Sequence, residues 1–428
     1  MPKNILFFPD VYKEHGHWLP AISLAQGLRS KYGHKVEFMG IADCEPIVEP
    51  YGFKFHKIFE KEYPAGYTKS FQHGLINDHG KFPHLWNIID DGLKDLLQNK
   101  FKPHLIISGY FTSLETLLLY YKYMYSNDYK IHDTKFMFTT TFLRHPTAGP
   151  ETLALQVLVS MSEPMLRKVM RSVCGGTVDV DTLSVHDFIE PIKEMIELVP
   201  CPRQFEFDNY RFETGRVEFI EPCIVKRGGD PNDLWEVGIP PAKLRKSDKR
   251  IIFATAGSQT QDYKDMARRW FQEMIKMMGL QGMQDYHLVM SVGDDLFEED
   301  WAKSGALPEN VTAHSWVSQL DVLNYCAAAY VHGGLATVKE CIYKNVPIIV
   351  LPLGKDQMDN AMRVVRSGIG QTAHVETVNF NDLQYLFLQA TTNEWMRTKL
   401  SRMNEVFVNM ERDPRPGVDR IHRYVERL

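Results

Sequence analysis

A run in the last third of the chain gathers residue types that can hold a phosphorylated ligand. It reads His332-Gly333-Gly334-Leu335-Ala336-Thr337-Val338-Lys339-Glu340, then Asn345-Val346-Pro347, a strand-like Ile348 to Pro352, Asp356-Gln357 and Asn360-Ala361. The apolar stretch Ala327 to Val331 ends at the histidine and two glycines, which open a helical pattern. A helix N-terminus presents unpaired N–H groups and the positive end of its dipole, so it binds anions such as a diphosphate. Glycine lets the backbone come close to the phosphate. His332, the Gly334 backbone and Thr337 are the candidates for that anion, and Ser258, after the apolar run Ile251 to Ala254, can add a hydroxyl. Glu340 follows about two helical turns along, in reach of a ribose diol. Asp356 and Gln357 come after the next strand, at the edge where open α/β sheets bind ligands, and suit the hydroxyls of a sugar. Trp316 offers a flat face to a base, with the Val317 backbone and Gln319 beside it.

Each residue has a plainer reading. His332 can cap a helix, Trp316 can be a core aromatic, Glu340 a solvated carboxylate and Asp356 an N-cap. The common register of all of them favours a ligand. A second locus lies near the N-terminus, where Gly16-His17-Trp18-Leu19-Pro20 follows an apolar strand pattern. Histidine ordinarily titrates near neutrality, so His17 is the candidate general base. A surface loop histidine is the plain alternative, and His15 is a competitor two residues away.

The elements that must position these groups alternate. Strand patterns at 5–8, 35–39, 105–108 and 136–140 are interleaved with helical ones at 19–30 and 112–125, which predicts a parallel, doubly wound sheet. Residues 148–205 read as helical and rich in Met, Leu and Val. A Pro/Gly/charge-rich stretch then reads as a linker. The alternation restarts with strands at 250–255, 286–292, 311–314, 328–331 and 347–351, and helices at 262–278, 319–326, 334–344 and 357–367. We expect a first domain at 1–225, a linker at 226–248, a second domain at 249–393, and C-terminal helices at 394–428.

Composition sets the outer limits. The chain has 428 residues, 44% hydrophobic and 24% charged, with a formal net charge of -5. That is an ordinary globular balance, long enough for two full cores. No long basic run supports a nucleic-acid partner, and no stretch approaches the ~20 apolar residues of a membrane span. The six cysteines are scattered without a C-x-x-C pair, which argues against a zinc site or a disulfide framework and fits a cytoplasmic setting. Asp179-Val180-Asp181 has the spacing of a metal-binding D-x-D, but a turn explains it, as it does Gly293-Asp294-Asp295.

The ordered segments Gly16 to Pro20, Ala256-Gly257-Ser258, Trp316 to Leu323 and His332 to Gln357 together resemble glycosyltransferase family 1, the UDP-glycosyltransferases, of the bacterial macrolide and natural-product type. The resemblance implies a GT-B fold, two facing Rossmann-like domains with an interdomain cleft, the acceptor bound by 1–225, the donor by 249–393, and the helices at 394–428 packing back on the first domain. It implies inverting, metal-independent transfer of a hexose, glucose above all, from a UDP-sugar co-substrate to a small hydrophobic acceptor such as a phenol, flavonoid, macrolide or terpenoid. No cofactor is expected beyond the donor, and the expected state is a monomer or weak homodimer. Phe142, His145, Met161 and Met165 are possible acceptor lining or simple core. The sequence departs from the family at two places, the smaller being Ala336, where plant members usually have a polar residue. The aspartate partner of the base is expected within Pro103 to Tyr110, where His104 and Gly109 stand instead; Ser108 or Asp10 are the substitutes at hand. An epimerase or phosphorylase on the same fold, or a binding protein without catalysis, are the rival readings.

Overall fold

The computed structural model describes residues 1–70, 83–124, 134–174, 179–225, 249–257, 263–302 and 305–428. The chain forms two compact units. The first comprises Met1–Cys201, Asp208–Val225 and Asp413–Leu428; the second comprises Pro202–Phe207 and Lys226–Arg412, described from residue 249 onward.

The first unit is built on a seven-stranded sheet in the order β3-β2-β1-β4-β5-β6-β7. Its strands are β1 (Asn4–Phe8), β2 (Lys35–Gly40), β3 (Lys54–Lys57), β4 (Leu105–Gly109), β5 (Lys135–Thr139), β6 (Ile196–Val199) and β7 (Val217–Phe219). All neighbours pair in parallel. β1 and β4 are buried through almost their whole length because helices cover both faces, which is why they read as unbroken apolar runs. The helix Pro416–Glu426 belongs to this unit, and Gly417 and Val418 donate their N–H groups to the buried Glu221 carboxylate.

The second unit carries a six-stranded sheet, β10-β9-β8-β11-β12-β13. Its strands are β8 (Arg250–Thr255), β9 (Tyr286–Ser291), β10 (Val311–His314), β11 (Cys326–Val331), β12 (Ile348–Val350) and β13 (Gly370–Thr372). Again all pairs are parallel. In both sheets the strand order reverses beside the first strand, between β1 and β4 and between β8 and β11. Open α/β sheets bind ligands at such a reversal, outside the carboxyl ends of the strands.

Three expectations change. Residues 148–205 are not helical throughout: after helices at Pro150–Ser160 and Glu163–Cys174 the chain makes two short turns and enters β6. β6 conceals itself because its Glu197 is buried and ion-paired with Arg144. The first stretch also gives Pro202–Phe207 to the second unit. In the tail, the helix Glu394–Glu411 counts with the second unit, and only residues from 413 onward join the first. The expected linker, 226–248, lies outside the described residues. The expected turns are present: Asp181 N–H donates to Asp179 Oδ1 at 3.1 Å, and Gly293 precedes a single helical turn.

Candidate functional site

In the first unit, β1 delivers Asp10 to the strand reversal and the helix His15–Tyr32 delivers His17. His17 stands in the first turn of that helix rather than in the preceding loop, its N–H bonded to the Glu14 carbonyl at 2.9 Å. Its Nδ1 is hydrogen-bonded to Asp10 Oδ2, and the side chains are 15% and 2% exposed. Asp10 Oδ1 accepts the Tyr12 N–H at 3.1 Å. A carboxylate on Nδ1 fixes the tautomer, leaves Nε2 to accept a proton, and stabilises the cation that results. Nε2 has the Glu14 carboxylate 3.7 Å away.

The candidate base therefore has an aspartate partner, Asp10, just after β1. Ser108 is buried and is not that partner. The same geometry explains Gly109. A Cβ there would run into the Pro9 carbonyl oxygen, so the end of β4 must be glycine for the segment bearing Asp10 to pass it. His104 is occupied elsewhere, accepting the Asn4 N–H at 3.1 Å.

Aromatic rings surround His17. Phe111, 44% exposed, stacks on the imidazole with centroids 5.0 Å apart. Phe142 lies 5.6 Å from Phe111 and 4.8 Å from Tyr110. The loop holding Phe142 is anchored by Arg144, whose guanidinium pairs with Glu197 and donates to the His145 and Pro146 carbonyls at 3.0 and 2.9 Å. His145 lies edge-on to Tyr210 at 5.1 Å, while Met161 and Met165 pack against the core. The sequence offered no signal for Tyr110 and Phe111 as neighbours of the base.

In the second unit, β11 ends at His332 and the helix Leu335–Tyr343 begins with Gly334 as its N-cap and no side-chain cap. Its first-turn N–H groups have no partner inside the helix. The His332 ring is wedged between two glycines. A Cβ at Gly257 would lie 2.5 Å from its Nε2, and one at Gly334 would also collide with it. Its Nδ1 is enclosed without a hydrogen-bond partner. Burial pushes the imidazole down to about 4, with the backbone hydrogen bond to Thr255 a smaller, opposing influence. The ring is thus neutral at ordinary pH and carries one N–H. An orphaned ring nitrogen beside uncapped helix N–H groups suits an anionic ligand.

Around this centre, Gln319 Nε2 donates to Glu340 Oε2, joining the two residues expected at the ribose. Trp316 follows β10 and is partly buried; Val317 and Thr337 are buried. Asp356 precedes the helix Gln357–Arg366 in the N-cap position, but its side chain does not cap it. Gln357 is buried and its carbonyl oxygen accepts the Leu353 and Gly354 N–H groups at 2.8 and 3.1 Å, so only its amide N–H groups remain as donors. Gly333, at φ 96°, lies flat on this segment, where a Cβ would meet the Gln357 carbonyl at 2.9 Å. Ser258 lies outside the described residues.

Residues 296–407 match the protein family described as UDP-glucoronosyl and UDP-glucosyl transferase. That match covers about a quarter of the chain and includes the run from His332 to Gln357. The ecdysteroid UDP-glucosyltransferase of Autographa californica nuclear polyhedrosis virus is 24% identical over 244 residues, 56% of this chain and 46% of that protein. The NDP-glycosyltransferase YjiC of Bacillus subtilis (strain 168) is 23% identical over 214 residues, 50% of each. The chain spans half or less of the length of such curated relatives, from 14% to 50%. Among solved structures, the glycotransferase of kitacinnamycin superposes with a TM-score of 0.71 at 20% identity, covering 100% of this chain and 99% of that one. CalG4, the calicheamicin glycosyltransferase, gives 0.67 at 18%, covering 100% and 99%. The two Rossmann-like units are those of the GT-B fold. No described helix is long and apolar enough to cross a membrane.

Proposed function

We propose that the protein is an inverting, metal-independent glycosyltransferase that moves a hexose, glucose foremost, from a UDP-sugar to a hydroxyl of a small hydrophobic acceptor. The observation that carries this reading is the His17–Asp10 pair, in which the carboxylate engages Nδ1. Nε2 takes the acceptor proton as the acceptor oxygen bonds to the anomeric carbon. The bond from that carbon to the diphosphate breaks, and UDP leaves with the electron pair. The developing charge falls on the β-phosphate, where the uncapped helix start and the His332 N–H stabilise it without a metal. Gln319 and Glu340 hold the ribose, Trp316 and Val317 the base, and Asp356 with Gln357 the sugar.

The exposed ring of Phe111, with the partly buried Tyr110 and Phe142 beside it, supports an acceptor with a flat apolar face. A cytoplasmic monomer or weak homodimer is part of the same proposal. Thymidine diphosphate sugars are the second donor class to include, since SpnG and VinC have been solved with that nucleotide. The test is a mass-spectrometric screen of UDP- and TDP-sugars against phenols, flavonoids, macrolides and terpenoid alcohols. A glycoside with inverted configuration, formed in the presence of chelator, is expected. Epimerised donor or sugar phosphate as the sole product, or no product from any pairing, would sink the proposal.

A further inference from the structure

Asn360, Arg363 and Glu206 lie behind the candidate donor site, buried at 0%, 1% and 5% exposure. Asn360 engages both N–H groups and the oxygen of its amide. Nδ2 donates to the Gly333 carbonyl and to Asp356 Oδ2, both at 2.9 Å, and Oδ1 accepts from Arg363 Nη1 at 3.3 Å. Arg363 Nε donates to Glu206 Oε1 at 2.7 Å, and the guanidinium lies 4.5 Å over the Phe207 ring. Glu206 and Phe207 come from the six-residue piece of earlier sequence that belongs to this unit.

We propose that Asn360, Arg363 and Glu206 form a positioning relay that sets two ligand-facing groups at once: the Gly333–Gly334 peptide and the Asp356 carboxylate. The inference rests on the donor-site reading above. In a trans peptide the carbonyl of one residue and the N–H of the next point in opposite directions. Holding the Gly333 carbonyl against Asn360 therefore turns the Gly334 N–H to the opposite side. Gly333 at positive φ has no side chain to resist rotation of that peptide, so an external hydrogen bond must fix it. The second Asn360 N–H fixes one oxygen of Asp356. Arg363 dictates which way the amide faces, because a guanidinium only donates and so demands the Asn360 oxygen. Glu206 balances the buried charge that makes this demand possible. None of the three touches the ligand in this account; they act through Gly333 and Asp356.

The experiment combines amide hydrogen exchange on the ligand-free protein with UDP titration by calorimetry. Asn360→Asp places oxygens against the Gly333 carbonyl and the Asp356 carboxylate. It is expected to speed exchange selectively in segments 332–338 and 353–358 and to weaken UDP binding about tenfold or more. Glu206→Gln removes only the remote charge and is expected to give a smaller change confined to the same two segments. A merely structural role predicts faster exchange throughout the second unit by one common factor. That outcome, or unchanged exchange in segment 332–338, overturns the relay. Should single variants at Arg363 fail to fold, the Glu206→Met/Arg363→Met double variant removes both charges and is expected to fold with the two segments loosened. Wild-type protein that binds neither UDP nor TDP would reject the donor-site reading, while the exchange pattern still decides the relay.

Discussion

The two strand reversals of this molecule occupy the same place in the same kind of sheet and are equipped for opposite tasks. At the β1/β4 reversal a histidine has a carboxylate on one nitrogen and an exposed aromatic ring over its face. At the β8/β11 reversal a histidine has no carboxylate, two glycines against its ring, and burial that keeps it neutral. The first ring is held by a carboxylate; the second resists gaining a proton. The comparison teaches that the fold supplies the position and the immediate neighbours decide the chemistry. Two histidines, each soon after a strand, differ because one meets Asp10 and the other meets Gly257 and Gly334.

The sharpest way to break the comparison is to remove the base. His17→Ala is expected to lower kcat by about 10² to 10⁴ while UDP affinity, read by calorimetry, stays at the wild-type value. Comparable turnover in both proteins would end the general-base assignment. Asp10→Asn is expected to cost roughly 10²-fold or more in kcat, because the amide cannot stabilise the imidazolium. The obvious repair, Gly109→Asp in the Asp10→Ala background, should fail. Its Cβ collides with the Pro9 carbonyl, so the protein loses at least about 1–3 kcal/mol of stability and gains no activity. A repaired enzyme with an unchanged melting temperature would show that the close approach of Pro9 to Gly109 is not what excludes an aspartate there.

That pairing also marks where the sequence stops being readable. β1, β4, β8 and β11 are legible as apolar runs because helices bury both faces. Edge strands are not: Lys54–Lys57 alternates charge and Gly370–Thr372 is three residues long. β6 is masked by Glu197, whose charge makes sense only beside Arg144. At the donor site the residues were legible because one local run carries most of them, and the helix start follows from its glycines. The partner of His17 was not, since Asp10 reaches it only because β1 and the following helix bring positions 10 and 17 together beside a glycine on β4. Glu206 was invisible for a stronger reason: it meets Arg363 across 157 residues of sequence, and no spacing rule spans that.

A milder perturbation probes the second reversal. Gly334→Ala requires no unusual backbone, since φ is -58°, so its effect isolates the collision of a Cβ with His332. Displacing the ring from the helix start is expected to weaken UDP binding about tenfold, the cost of one hydrogen bond to a charged group. An unchanged dissociation constant would mean that the ring does not take part in binding.

The smallest effect is the most specific to the contrast. His332 is depressed to about 4 in the folded protein, against an ordinary value near 6.5 when unfolded. As pH falls below about 6.5 the unfolded chain takes up a proton at this residue and the folded one does not, so stability declines until the pH reaches about 4. Between pH 7.5 and 5.5 this amounts to about 1 kcal/mol. His287 and His314 are lowered in the same direction by burial, so the measurement must be a difference. Denaturant unfolding of wild type and His332→Gln at both pH values should show a steeper acid loss in the wild type. Saturating UDP should shrink that difference, because a diphosphate beside the ring favours its cation and lifts the depressed value back up. A pH dependence shared equally by both proteins would show that His332 is not held neutral, and the distinction between the two histidines would lose its basis.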